Sequence, residues 1–215
     1  MKFKYLIIFI TIGLLFALYV LSLFTHPVII SLSDISSYTD QQVIIQGIVT
    51  DYRTTAYGSQ LITIADSLNR TNSVLLYIEG EAPVEYGDTI QATGEVQQYK
   101  NQWEIVVNNP HSIIVLQKWD HLVFPLWELA LHPDNYLNTN VNVTGIVTTP
   151  SGSSFLLTST DGKYSIEVIY QSSCPHQFSK DDTVTVKARF LYDTATCRFL
   201  LSVTQPTHGI WRSAS

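Results

Sequence analysis

Charge is what this chain has least of. Asp, Glu, Lys and Arg together make up 14% of its 215 residues, while apolar residues reach 46%. Only 12 residues are basic against 18 acidic ones, a net charge of −6. Binding to a phosphate backbone draws on clustered Lys and Arg, and the first half of the chain has no such cluster. Residues 29–117 hold three basic side chains (Arg53, Arg70, Lys100) and ten acidic ones, net −7; residues 133–204 hold five and six, net −1. Cysteine is almost absent, at two residues, Cys174 and Cys197. With His176 they could supply three metal ligands, but the paired C-x-x-C spacing of a compact zinc site is missing. The remaining histidines, among them His26, His111, His121 and His208, are scattered. There is no nucleophile elbow, no glycine loop to cradle a phosphate and no zinc-protease helix motif. Nothing therefore points to an enzyme, and neither a cofactor nor a metal site is expected.

One stretch carries no charge at all. Tyr5 to Phe24 is a run of 20 uncharged, mostly apolar residues, the length that crosses a bilayer core as a helix. Lys2 and Lys4 precede it and no Lys or Arg follows until Arg53. The positive-inside bias then keeps the N-terminus in the cytoplasm and puts the rest of the chain outside, as a single-pass membrane protein. A cleaved signal peptide is the alternative, with Val20-Leu21-Ser22 as its cleavage site, but the apolar run exceeds the usual h-region of about 7–15 residues. An outside address agrees with two glycosylation sequons, at Asn69 and Asn142. It also makes a Cys174–Cys197 disulfide chemically permissible.

The folded part says the same thing twice. Residues 43–50 (VIIQGIVT) recur as 141–148 (VNVTGIVT), Asp88-Thr89-Ile90 as Asp182-Thr183-Val184, and Glu104-Ile105-Val106 as Arg198-Phe199-Leu200. The offset drifts only from 98 to 94 residues, so one β-rich domain is duplicated. Period-2 runs predict strands near 42–51, 60–66, 73–79, 88–98 and 102–108, with a further extended piece to Leu116. The second copy repeats them near 140–149, 153–159, 164–171, 182–192 and 196–204. Mid-strand glycines such as Gly47 mark the bends that five short strands need to close a barrel.

Asp66 after a Leu/Ile-rich strand, then Tyr86-Gly87-Asp88-Thr89-Ile90, Gly94-Glu95-Val96 and Trp103-Glu104-Ile105, give the first copy its character. This series resembles the OB-fold family of the anticodon-binding and helicase type. In the second copy Asp161 matches Asp66, Lys180-Asp181-Asp182 replaces the Gly-Asp turn and Ala188 replaces Gly94. The resemblance implies an all-β chain: two tandem five-stranded OB-like barrels preceded by one transmembrane helix. The expected domains are a membrane anchor at 1–28, a first barrel at 29–117, an apolar linker with a short helix at 118–132, a second barrel at 133–204 and a tail at 205–215. Pro125 suits the first turn of that helix. The links between strands three and four, 80–87 and 172–181, are too short for the full helix many OB domains carry there.

OB domains bind on the face of strands two and three, framed by the loops between strands one and two and strands four and five. In the first copy those loops hold Tyr52, Arg53 and Tyr57, then Tyr99, Lys100 and Trp103. Aromatic rings beside a cation suit sequence-tolerant stacking of single-stranded bases; equally, Tyr and Trp are good strand residues near a hairpin. In the second copy Lys187 and Arg189 share an outward face, as binding residues or as an ordinary solvated strand. The expected partners are the membrane and either a single-stranded nucleic acid or a protein of the cell envelope. His132 with Tyr136 also resembles the His-x-x-x-Tyr haem-attachment stretch of membrane-anchored haem chaperones, although Tyr136 matches Tyr38 in the repeat and so has a structural explanation.

Overall fold

The computed structural model describes residues 2–24, 26–67, 69–170 and 178–212, without the side chains of 2–4, 6 and 21–24. Helix α1 (Lys2–Phe24) spans 23 residues. Its described side chains are Tyr5 and those of 7–20. Among the described residues, no helix is long and apolar enough to cross a membrane.

The first barrel is built from β1 (Val28–Ile29), β2 (Gln42–Thr54), β3 (Gln60–Ala65), β4 (Ser73–Ile78), β5 (Thr89–Tyr99), β6 (Gln102–Val107) and β7 (Ile113–Gln117). Its strands lie in the order β1-β2-β3-β4-β6-β5-β7, and a β2–β5 pairing closes the sheet. The second barrel follows the same plan: β8 (Phe124–Pro125), β9 (Asn140–Pro150), β10 (Ser154–Thr158), β11 (Ser165–Tyr170), β12 (Thr183–Asp193), β13 (Arg198–Val203) and β14 (Gly209–Arg212). There β9 pairs with β12 to close it. Both are five-stranded OB-like barrels, each with a short parallel strand ahead of its first long strand and an extra strand against its fourth.

The alternation in the sequence is what sorts the side chains. Along β5, Ile90, Ala92 and Val96 are buried between half-buried polar neighbours, and along β12 Val184, Val186, Ala188 and Phe190 are buried likewise. A closed sheet puts one side of each strand in the interior, so a period of two becomes an apolar barrel core. The first long strand must curl to pair with both neighbours. A bulge at Thr50 separates its two registers, and the corresponding shift in the second barrel falls at Thr148. At the bend a side chain has no room: a Cβ on Gly47 would lie 2.9 Å from the Ala65 carbonyl oxygen, and one on Gly145 2.8 Å from that of Thr158.

The segments before each first long strand plug the barrel floor. Leu32 and Ile35, on the 3-10 turn Leu32–Tyr38, enter the first core. Leu126 and Leu129, on helix α2 (Leu126–Leu131), enter the second. The apolar stretch expected as a linker thus belongs largely to the second barrel, and the expected tail contributes β14, paired with β12. Between β4 and β5 no helix forms; Ala82 and Val84 are buried from the loop instead.

Each barrel is latched by the aspartate that opens its fourth strand. Asp88 is fully buried. Its carboxylate accepts from the backbone N–H of Glu85 (2.9 Å) and of Trp119 (3.2 Å), and from Lys118 Nζ (2.9 Å). Asp182 repeats this, accepting from Ser179 N at 2.8 Å and pairing with Arg212 Nη2 at 2.9 Å.

The barrels also meet each other. Asn140 N donates to the Tyr86 carbonyl (3.3 Å), and Thr207 Oγ1 donates to Glu85 (3.1 Å). The Arg189 guanidinium sits 3.6 Å above the Tyr86 ring, which in turn packs on Tyr52 at 4.5 Å between centroids. Trp119, 6% exposed, stands edge-on to His208 across the joint. Arg70 reaches over to donate to the Asn135 carbonyl.

Candidate functional site

A groove of about 590 Å³ runs across the outer side of β3, β4 and β6 on the first barrel. Outward-pointing Leu61, Leu75 and Tyr77 make its wall, with Glu104 and Val106 beside them. The strand one–two hairpin delivers Arg53 to one rim. The β5–β6 hairpin delivers Tyr99 and Lys100 to the other, with Lys100 Nζ 5.0 Å above the Tyr99 ring. Lys100 and Asn101 have φ of 49° and 65°, the two-residue left-handed turn that matches strand twist. That tight reversal holds the tyrosine and the lysine side by side at the rim.

Three of the expected residues, Arg53, Tyr99 and Lys100, therefore converge on one groove. The others go elsewhere. Tyr57 stands fully out at the tip of the β2–β3 hairpin, 97% exposed and away from the groove lining. Trp103 shares the pleat side of Ile105 and packs against the first core. Tyr52 also packs on that core and stacks on Tyr86 at the joint between barrels. Burial beside Tyr86 raises its phenol pKa.

Lys187 and Arg189 do point outward from β12, but onto the neighbouring segments of the chain. Lys187 Nζ is 2.9 Å from Asp120 and 5.5 Å from the Trp211 ring. Its hydrogen bond holds the Asp120 carboxyl below the usual carboxylate range. Arg189 is engaged with Tyr86. Both cations are joint residues rather than an open binding face.

The sequon at Asn142 is closed in the folded chain: the residue is 3% exposed and its Nδ2, the atom a glycan would be joined to, donates to the Asp120 carbonyl at 3.1 Å. Asn69 is exposed, and its Oδ1 accepts from Thr71 Oγ1 at 2.6 Å. Cys197 is exposed at the β12–β13 turn, while Cys174 and His176 lie outside the described residues. Among the described residues no three His, Cys, Asp or Glu side chains gather as a metal site would require. Tyr136 packs against Phe124 in the second core and donates to Glu128 (3.1 Å); burial first, then that hydrogen bond, pushes its pKa up to about 12. It is a packing residue, as its match to Tyr38 suggests.

The same face of the second barrel has different chemistry. Barrel register places Ser151 where the first has Arg53, Ile169 where it has Tyr77, and Asp193 where it has Tyr99. A hollow of about 710 Å³ there is lined mainly by apolar side chains, including Phe155, Leu156, Phe190 and Phe199, with Glu167 and Arg198 at opposite charge. It is larger than the first groove, and the exposed ring it carries is Phe199, next in sequence to Arg198, rather than a tyrosine.

No family model matches this sequence. No curated protein matches it either. Among solved structures, the chain is similar to a putative aspartyl-tRNA synthetase from Leishmania major, at 14% identity and a TM-score of 0.35, over 42% of this chain and 21% of that one. It therefore spans about a fifth of that synthetase's length. An OBody bound to hen egg-white lysozyme is similar at 18% identity and a TM-score of 0.34, over 41% of this chain and 94% of that one. Fission yeast Pot1, solved with single-stranded DNA, is similar at 14% identity and a TM-score of 0.33, over 86% and 88%.

Proposed function

We propose that this chain is a non-catalytic, membrane-anchored module whose first barrel binds a single-stranded nucleic acid in the groove between Arg53 and Lys100. One observation carries the reading. The first barrel has three basic residues in a field of ten acidic ones. Arg70 is spent on the Asn135 carbonyl, and the two that remain line one groove with two tyrosines. Rings that stack bases beside cations that meet phosphates are the ingredients of sequence-tolerant single-strand binding.

The anchor is the second part of the proposal. A helix of 23 residues, at about 1.5 Å per residue, is about as long as the roughly 30 Å hydrocarbon core. Its side chains from Ile7 to Tyr19 are exposed and nearly all apolar, a surface lipid would cover. With Lys2 and Lys4 both in its first turn, the barrels sit on the outer side. An envelope-protein partner is the second reading, favoured by the net −7 of the first barrel.

The test is fluorescence anisotropy of labelled single-stranded oligonucleotides against the detergent-solubilised chain. Binding is expected to be weak even at low salt and to fall only modestly as salt rises, with a slope of about −1.4 in log K against log salt if Arg53 and Lys100 each neutralise one phosphate. Arg53→Ala and Lys100→Ala are each expected to weaken it several-fold, and Tyr57→Ala to leave it unchanged. No anisotropy change at low salt and high micromolar protein rejects nucleic acid as the ligand and leaves the envelope partner.

A further inference from the structure

We propose that Glu104 makes the groove select bases that carry an amino group, guanine foremost, and reject thymine and uracil. The inference rests on the nucleic-acid reading of the groove and goes on to name which strands it prefers. Glu104 points outward from β6, between Leu75 on β4 and Gln97 on β5 in the barrel register. It lines the groove that Arg53, Tyr77, Tyr99 and Lys100 also line. Its carboxylate makes no hydrogen bond or salt bridge to any described residue. Gln97, its neighbour, turns its amide toward Glu95 at 3.3 Å instead. Neighbouring apolar surface desolvates the group enough to raise its pKa, so the site leaves a carboxylate in want of donors.

The cations do not satisfy it. Lys100 lies over Tyr99, and Arg53 stands on the hairpin at the far rim. A carboxylate on the groove wall with no partner among the described side chains is open to donors that a ligand supplies. A base stacked on Tyr99 or Tyr77 would turn its edge toward the floor. Guanine presents N1–H and the N2 amino group side by side, a match for the two carboxylate oxygens. Cytosine and adenine each offer one amino group, the cytosine N4 contact with Glu being a known pairing. Thymine and uracil present a single N–H between two carbonyl oxygens, whose lone pairs face the carboxylate. In the second barrel the register puts Leu200 at this position, two residues on from the Arg198 that the sequence repeat matches to Glu104, and the carboxylate of that face is Glu167, one strand over.

The experiment compares oligo-dT, oligo-dC and a repeating T-T-G strand of equal length, on the full chain in detergent, for the wild type and Glu104→Gln. Wild type is expected to bind the guanine-containing strand about ten- to a hundredfold more tightly than oligo-dT, with oligo-dC between them. Glu104→Gln, which keeps the side chain's shape, is expected to collapse that ratio toward one with the thermal midpoint unchanged. Equal wild-type affinity for all three strands overturns the selectivity while leaving nucleic-acid binding intact. A variant that binds all three more tightly by one common factor also overturns it, since Glu104 would then merely repel phosphate. A basic peptide that binds more tightly than any strand, and loses its affinity with Glu104→Gln, assigns the carboxylate to protein recognition and overturns it too. Failure of every strand to bind rejects the nucleic-acid reading and this inference together.

Discussion

Replacing Asp88 by alanine should be the most damaging single change to the first barrel that leaves its apolar core intact. The carboxylate is fully buried and holds two backbone N–H groups, from Glu85 and Trp119, together with the Lys118 ammonium. Each orphaned, buried N–H costs about 1–3 kcal/mol. The Lys118 side chain is 34% exposed, so water recovers most of its charge and that pair adds at most about 1 kcal/mol. Together the loss comes to about 2–7 kcal/mol, which for a chain of this size lowers the melting midpoint by roughly 4–28 °C. Chemical denaturation followed by tryptophan fluorescence reads it directly, because Trp119 donates its backbone N–H to Asp88 and its indole N–H to Glu85 at 2.8 Å. Lys118→Met should cost about 1 kcal/mol or less. Asp182→Ala should cost less than Asp88→Ala, since the Asp182 side chain retains 24% exposure. A loss under about 1 kcal/mol for Asp88→Ala, or a Lys118→Met loss as large, would refute the idea that backbone donors make this latch.

Two further expectations concern the joint between the barrels. Removing the Arg189 guanidinium, stacked 3.6 Å above Tyr86, should cost about 1–2 kcal/mol and speed proteolysis between residues 117 and 124; unchanged cleavage would show that the stack does not hold the joint. His208 has a pKa lowered to about 4, by burial first of all, and its Nδ1 already accepts from the backbone of Thr204 and Gln205. The unfolded histidine binds its proton near pH 6.5, so the unfolded state takes up more protons between there and pH 4. Stability from this group is complete above pH 6.5 and declines as pH falls toward 4. His208→Asn should flatten that part of the stability profile, and an unaltered slope would place the pH dependence elsewhere.

How much of this was legible beforehand follows from what alternation can and cannot say. The period of two located the long strands to within a few residues, and the recurring Asp-Thr pair marked the start of each fourth strand. Alternation also placed Lys187 and Arg189 correctly on the outside of β12. It does not say what lies against the outside. Asp120 and Tyr86 cover those two cations from positions 67 and 103 residues earlier in the chain, and no local pattern records such a distance. The burial of Asn142 is hidden from local pattern for the same reason, since the segment around Asp120 closes over it. Trp103 illustrates the converse: as part of a hairpin motif it looked like a loop aromatic, whereas its pleat side, shared with Ile105, pointed inward. Arg53, Tyr99 and Lys100 were legible because an OB frame dictates where its hairpins point. In the sequence Glu104 is only part of the fold motif, and the register that seats it beside Leu75 and Gln97 is what sets it on the groove wall.

Only three residues separate the end of α1 at Phe24 from the start of β1 at Val28. Fully extended they span about 10–14 Å including the joining bonds. If α1 is held in a bilayer, the first barrel is moored within roughly one barrel width of the headgroups and can sample only a thin shell above them. Lateral diffusion then replaces free tumbling in bringing ligand and groove together. A strand already lying along the cell surface would be met at a far higher local concentration than its bulk value, which lets a weak groove on an acidic protein work as a capture device.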